Sequence, residues 1–224
     1  MKKTITVLLL LFSAVTATAQ TWEHVGSPGF TNSSTSFTTV KVDPTGIPYL
    51  AYIDGSSQKA RVMRFNGTSW EDVGAPGFSA GAVDYLTFNL DPSGNPYVAY
   101  QDATLDQKLT VMKFDGASWV SVGMPGFSDW VFMNSLAINS DGVPYVAYFN
   151  VSTFDINVMR YNGAAWENVG NSPPGRGDYF SLAFNAADMP YLAFQDFDES
   201  GNKTTVMKFN GNEWVAVGTP GGVS

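Results

Sequence analysis

Apolar residues alternate with small or polar ones over short stretches along the whole chain, the period of two that marks strands with one face on a core. Leu86, Phe88 and Leu90 fall on one face of such a stretch, with Thr87 and Asn89 on the other. Phe180, Leu182 and Phe184 repeat this against Ser181 and Ala183. A second type of stretch breaks the alternation. Tyr97 and Ala99 point one way while Val98 and Tyr100 point the other, so both faces of that strand need cover. No long stretch carries helical periodicity, and the fold class predicted is all-β.

Turn signals divide these strands regularly. Asp43-Pro44-Thr45-Gly46 and Asp91-Pro92-Ser93-Gly94 suit a type I turn followed by a left-handed residue; Gly142 holds that position in the third copy and Asp188 in the fourth. Asn66-Gly67, Asp115-Gly116, Asn162-Gly163 and Asn210-Gly211 predict two-residue type I′ hairpins. Five tryptophans, Trp22, Trp70, Trp119, Trp166 and Trp214, are spaced by 48, 49, 47 and 48 residues, and each opens W-x-x-V-G. That period describes a repeat architecture in which one unit is a four-stranded meander, A to D. Sheets of this size, apolar on both faces, must stack side by side, with strand A and its Ser, Thr and Ala innermost. The four units are expected at about 36–74, 84–123, 132–170 and 178–218. Thr21–Gly26 is then a spare outer strand without its own A, B and C, which predicts an incomplete ring or arc of a larger propeller; a closed four-bladed ring is the alternative.

On the W-x-x-V-G, G-x-P-Y-[VL]-A-Y and [ND]-G-x-x-W signatures, residues 21–218 resemble the secreted bacterial β-propeller repeat proteins. The resemblance implies the architecture and leaves the activity open, because propellers host unrelated functions.

Lys2 and Lys3, the apolar run Thr6–Val15 and the small residues Ala17 and Ala19 read as an export leader over 1–19, leaving 20–224 as the repeat domain. The chain is therefore expected to be secreted or cell-surface, with no membrane insertion. It lacks cysteine, which removes disulfides and a lipidated N-terminal Cys. Formal charge is −8, and −10 once the leader's two lysines are gone, so no nucleic-acid partner is expected.

With one histidine, His24, and no cysteine, Cys/His nucleophile pairs and multi-His zinc sites are excluded. Asp196, Asp198 and Ser200 match the first half of a calcium loop, but Met207 stands where the bidentate Glu belongs; a solvated hairpin tip is preferred and no cofactor is expected. Arg176-Gly177-Asp178 spells an adhesion tripeptide in an inter-blade loop, where chance occurrence is preferred. The recurrent tryptophans read as seam fillers between blades. Arg64, Lys113, Arg160 and Lys208 read as snorkelling strand residues.

The D-A connectors and B-C loops must emerge on one face. They bring Phe30, Phe78, Phe127 and Trp130 beside Asp54, Asp102, Asn150 and Asp196, a pairing of aromatic planes and polar groups that suits sugar rings. An architectural role for the same residues is the competing expectation. The function expected is an exported non-catalytic binding or scaffold module for glycan or protein, with self-association if the ring is open. The alternative is an extracellular carbohydrate-active enzyme with its site at the central channel.

Overall fold

A computed structural model describes residues 21–197 and 201–218. Sixteen strands form four separate four-stranded antiparallel sheets, each in sequence order. The first contains β1 (Thr35–Val42), β2 (Pro48–Asp54), β3 (Ala60–Phe65) and β4 (Trp70–Asp72). The second contains β5 (Val83–Leu90), β6 (Pro96–Asp102), β7 (Lys108–Phe114) and β8 (Trp119–Ser121). β9 (Val131–Ile138), β10 (Pro144–Asn150), β11 (Asp155–Tyr161) and β12 (Trp166–Asn168) make the third. β13 (Gly177–Phe184), β14 (Pro190–Asp196), β15 (Lys203–Phe209) and β16 (Trp214–Ala216) make the fourth. Helix among the described residues is limited to a single 3-10 turn, Ala103–Leu105.

Each core lies between blades rather than within one. Ala51 and Val62 of the first blade pack with Phe88 and Val98 of the second, and the next two interfaces repeat the arrangement. The strand predicted to need cover on both faces, β6, is buried at every residue. Strands β1, β5, β9 and β13 line up side by side as the innermost elements. The arc does not close. Val40 is 60% exposed, whereas Phe88, Leu136 and Leu182 at the same position of later blades are 3%, 5% and 7% exposed.

Tryptophan locks each seam. Trp70, Trp119, Trp166 and Trp214 donate their indole N–H to the carbonyls of Val25, Val73, Val122 and Val169 of the preceding repeat, at 2.7–2.9 Å. The phenylalanine of the preceding D-A connector lies flat on three of these indoles: Phe30 on Trp70, Phe78 on Trp119 and Phe127 on Trp166, with centroids 5.0, 4.0 and 4.5 Å apart. The glycine of W-x-x-V-G is required by this approach. Gly74 has φ 76°, and a Cβ there would come within 2.9 Å of Phe114 and 3.1 Å of Trp119.

Two local expectations change. The Asn-Gly turns are four-residue loops rather than type I′ hairpins: Phe65 pairs with Trp70, Gly67 has φ 96° and Asn66 is not left-handed. The Asn66 Oδ1 accepts from the N–H groups of Thr68 and Ser69 and so closes the wider loop. Thr21–Gly26 keeps the outer-strand position but forms no ladder, and Trp22 is fully exposed. Strand D bonds only to strand C of its own sheet, and no strand C lies beside this segment among the described residues. Its Val25 still receives the Trp70 bond. The A-B turns follow expectation, with Gly46 at φ 91° and Asp188 at φ 55°.

Truncating Trp119 to alanine removes the indole's burial, the Phe78 stack and the seam hydrogen bond together. Trp119→Ala is expected to cost about 3–5 kcal/mol in urea unfolding, and Trp119→Phe clearly less, since a ring remains to stack.

Candidate functional site

The rim residues singled out from sequence are all on one face, and the three acids, Asn150 and the three phenylalanines each have a partner in the fold. Asp54 is buried, and its Oδ1 accepts from the backbone N–H groups of Ser56 and Ser57 and from the Ser56 hydroxyl. The Ser56 hydroxyl bond leads the effects that hold this carboxyl well below the usual carboxylate range. Asp102 caps the 3-10 turn through Thr104 and accepts from the Thr110 hydroxyl at Oδ2. Asn150 caps Ser152 and Thr153, and Asp196 accepts from Thr205. Phe30, Phe78 and Phe127 are the stacking partners of the seam tryptophans. Trp130 differs: it is 51% exposed at the third connector.

Of the calcium-loop residues, Asp198 and Ser200 lie outside the described residues. Among the described residues no group of three or more His, Cys, Asp or Glu side chains could hold a metal ion. Arg176-Gly177-Asp178 spans the junction of the last inter-blade loop with β13, with Gly177 paired to Asp196 and Asp178 to Gln195. Burial raises the Asp178 carboxyl above its ordinary value.

On the opposite face, where the A-B and C-D turns emerge, two clefts open beside arginines. The larger, of about 560 Å³, lies between the second and third blades. Tyr97 and Lys113 come from one blade, and Tyr145, Arg160, Tyr161 and Asn162 from the next. Arg160 donates from Nε to Glu167 Oε1 at 2.8 Å, and Asn162 donates from Nδ2 to the other carboxylate oxygen at 2.8 Å. The bonds from Asn162 and then Arg160 hold the Glu167 carboxyl below its ordinary value, so it stays ionised. The first blade repeats the set: Arg64 reaches Glu71 at 2.8 Å, Asn66 reaches it at 3.1 Å, and a cleft of about 430 Å³ adjoins them.

This pair was present in the sequence and was missed by treating Arg64, Lys113, Arg160 and Lys208 as one class. The strand register separates them. Arg64 faces Glu71 and Arg160 faces Glu167, whereas Lys113 faces Val120 and Lys208 faces Val215. Arginine goes with W-E and lysine with W-V, so the chemical repeat is two blades long while the fold repeats every blade.

A third feature sits at the channel mouth on the D-A face. Phe37, Tyr85, Met133 and Tyr179 occupy the same bulge position of β1, β5, β9 and β13, and all four are left-handed, with φ of 51°, 48°, 50° and 53°. Large residues in that region cost about 1–3 kcal/mol each. Asn134 helps hold one bulge by donating to the Tyr85 carbonyl while accepting from Thr87. Phe37, Tyr85 and Phe132 meet edge to face, with centroids 5.5 and 4.9 Å apart. Burial, the Asp84 carboxylate and the nearby Tyr179 phenol, in that order, push the Tyr85 hydroxyl above its ordinary value. Phe37, Tyr85, Met133, Tyr179 and Phe180 line a shallow cavity of about 240 Å³.

No family model and no curated protein sequence matches the chain. Solved structures resemble it in fold. A triple-arginine mutant of AofleA from Arthrobotrys oligospora aligns with a TM-score of 0.61 at 15% identity, over 85% of this chain and 58% of that one. A point mutant of the Aleuria aurantia lectin in complex with Fucα1-6GlcNAc aligns with a TM-score of 0.60 at 16% identity, over 84% and 64%. The Hadza microbial sialidase Hz136 aligns with a TM-score of 0.57 at 13% identity, over 83% and 47%. The chain thus spans about half to two thirds of the length of these proteins. The likeness shows the β-propeller fold.

Acid should loosen the first B-C loop. A carboxyl held low in the folded state contributes stability that is present above its unfolded value and is lost as pH falls through the folded one. Asp54→Asn keeps the Oδ1 acceptor, as Asn150 does in the third blade. Without the charge and its ion pair to Arg61 the variant is expected to be less stable than wild type at pH 7, with a shallower loss between about pH 5 and 2, read by urea titration at each pH.

Proposed function

We propose that this chain is a non-catalytic carbohydrate-binding β-propeller that is exported through its leader and takes glycans in the clefts beside Arg64 and Arg160. The observation that carries the reading is the cleft between the second and third blades. Its walls carry Arg160 and Asn162, both held by the Glu167 carboxylate behind them, and three tyrosines. Sugars need this mixture: hydroxyls bond to preorganised charged groups, and C–H faces lie on aromatic rings. The guanidinium and carboxylate orient one another, so little ordering cost remains when a ligand arrives. The bound fucosylated disaccharide named for the Aleuria aurantia lectin supports the ligand class. The sialidase among the similar folds keeps that support at the level of carbohydrate rather than one sugar.

The test is a glycan array followed by calorimetric titration of the best ligand. Arg160→Ala should weaken binding by about 10- to 100-fold, the worth of a charge-assisted hydrogen bond. Arg64→Ala should lower the number of sites without changing the affinity of the remaining one. Both pairs are solvent-accessible, so neither change should move the unfolding midpoint appreciably. Absence of binding to any glycan by the folded protein sinks the proposal.

A further inference from the structure

Packing accounts for the bulge residues only in part: Tyr85 and Met133 are half-buried, and Phe37 meets Tyr85 edge to face. Tyr179 is 68% exposed and Phe37 is 42% exposed, yet both sit in a backbone conformation that favours glycine. A chain selected for stability alone would place Gly or Asn there. This sequence instead places Phe, Tyr, Met and Tyr at the same position of four successive blades. Backbone strain kept with large exposed side chains is the signature of a site that needs those side chains.

What the site accepts follows from its walls. The cavity of about 240 Å³ is lined by Phe37, Tyr85, Met133, Tyr179 and Phe180, with Thr87 and Asn134 at its base. No charged side chain lines it. Asn134 is already bonded to Thr87 and to the Tyr85 carbonyl, so the polar groups left for a ligand are the two phenols. The volume lies below the about 300 Å³ of pockets that hold drug-sized molecules, which sets the occupant at one ring. Edge-to-face rings present an electron-rich face to C–H groups, and phenol hydroxyls both donate and accept. The acidic Asp84 beside Tyr85 disfavours an anionic ligand.

We propose that the channel mouth is a second carbohydrate site, taking a single neutral pyranose stacked among Phe37, Tyr85 and Tyr179; this rests on the glycan-binding reading above. It is separate from the arginine clefts, because it lies on the D-A face and they lie on the turn face. The protein would then engage sugars from both faces of the arc.

The test uses the full chain with methyl glycosides as probes: neutral methyl hexosides and 6-deoxyhexosides on one side, methyl glucuronoside on the other. Ligand-observed NMR and calorimetry on wild type should give two classes of site for neutral glycosides, with the uronoside absent from the channel class. Tyr85→Gly/Tyr179→Gly should lose the channel class by tenfold or more and keep the class that Arg160→Ala removes. Its thermal midpoint should stay close to wild type, because relief of the left-handed strain offsets the lost ring contacts of Tyr85. Tyr85→Phe/Tyr179→Phe keeps the rings and should weaken that class only a few-fold. Unchanged binding by the glycine double variant, or a single class abolished by Arg160→Ala alone, overturns the channel site and leaves the cleft reading standing. No binding of any glycoside by wild type overturns both.

Discussion

Everything in this molecule depends on burying a flat sheet on both sides. A four-stranded meander of this composition has no core of its own, and its apolar side chains find cover only against the neighbouring blade. The seam is fixed by one repeated device: an indole that donates to the previous repeat's carbonyl and is covered by the previous connector's phenylalanine. Hydrogen bond and ring stack act on the same side chain, so they set distance and angle together. The fourth interface shows the hierarchy of the two. Its connector, Asn171 to Gly177, carries no phenylalanine, yet Trp214 still bonds to Val169 and is the most buried of the seam tryptophans.

That scaffold leaves the two faces chemically distinct. On the D-A face Asp54, Asp102 and Asn150 cap their own loops, Asp196 accepts from Thr205 of the next strand, and the connector phenylalanines cover three seams. Exposed aromatic surface on that face includes Phe37 and Tyr179 of the inner bulges, Trp130, and Phe154 and Phe197 of the B-C loops. On the turn face, long side chains of strand C meet strand D across a short three-residue ladder. A single change there, glutamate or valine opposite the basic residue, decides whether a blade presents an oriented ion pair or a simple covered strand. The residue opposite the basic side chain varies from blade to blade, whereas the indole-to-carbonyl bond recurs at all four seams.

Strain has a similar distribution. Glycine takes the left-handed position at three of the four A-B turns, with Asp188 at the fourth, and at the close approach of tryptophan, where a Cβ would also meet the neighbouring rings. At the inner bulges the same conformation is held by large residues, and part of the hold comes from another blade through Asn134. The inner strands are therefore fixed by inter-blade contacts as well as by their own sheet.

The sequence by itself determined the all-β class, the four meanders, their strand faces, the inner position of strand A and the role of tryptophan in the seams. These follow from periods of two and about 48 residues, and periodicity is a local property that the chain carries along its length. It was misleading at the Asn-Gly turns, where the dipeptide favours a tight hairpin but the asparagine side chain closes a longer loop. It was also incomplete for Thr21–Gly26, since a strand motif cannot form a ladder without a partner edge. Only the tertiary structure decided which polar residues meet. The Arg160–Glu167 pair depends on cross-strand register, the cleft beside it on Tyr97 from another blade, and the channel cavity on four bulges set about 48 residues apart in sequence and brought together by the arc. Contacts of that kind are distances between blades, and blade-to-blade distance is set by packing the seams rather than by any local run of residues.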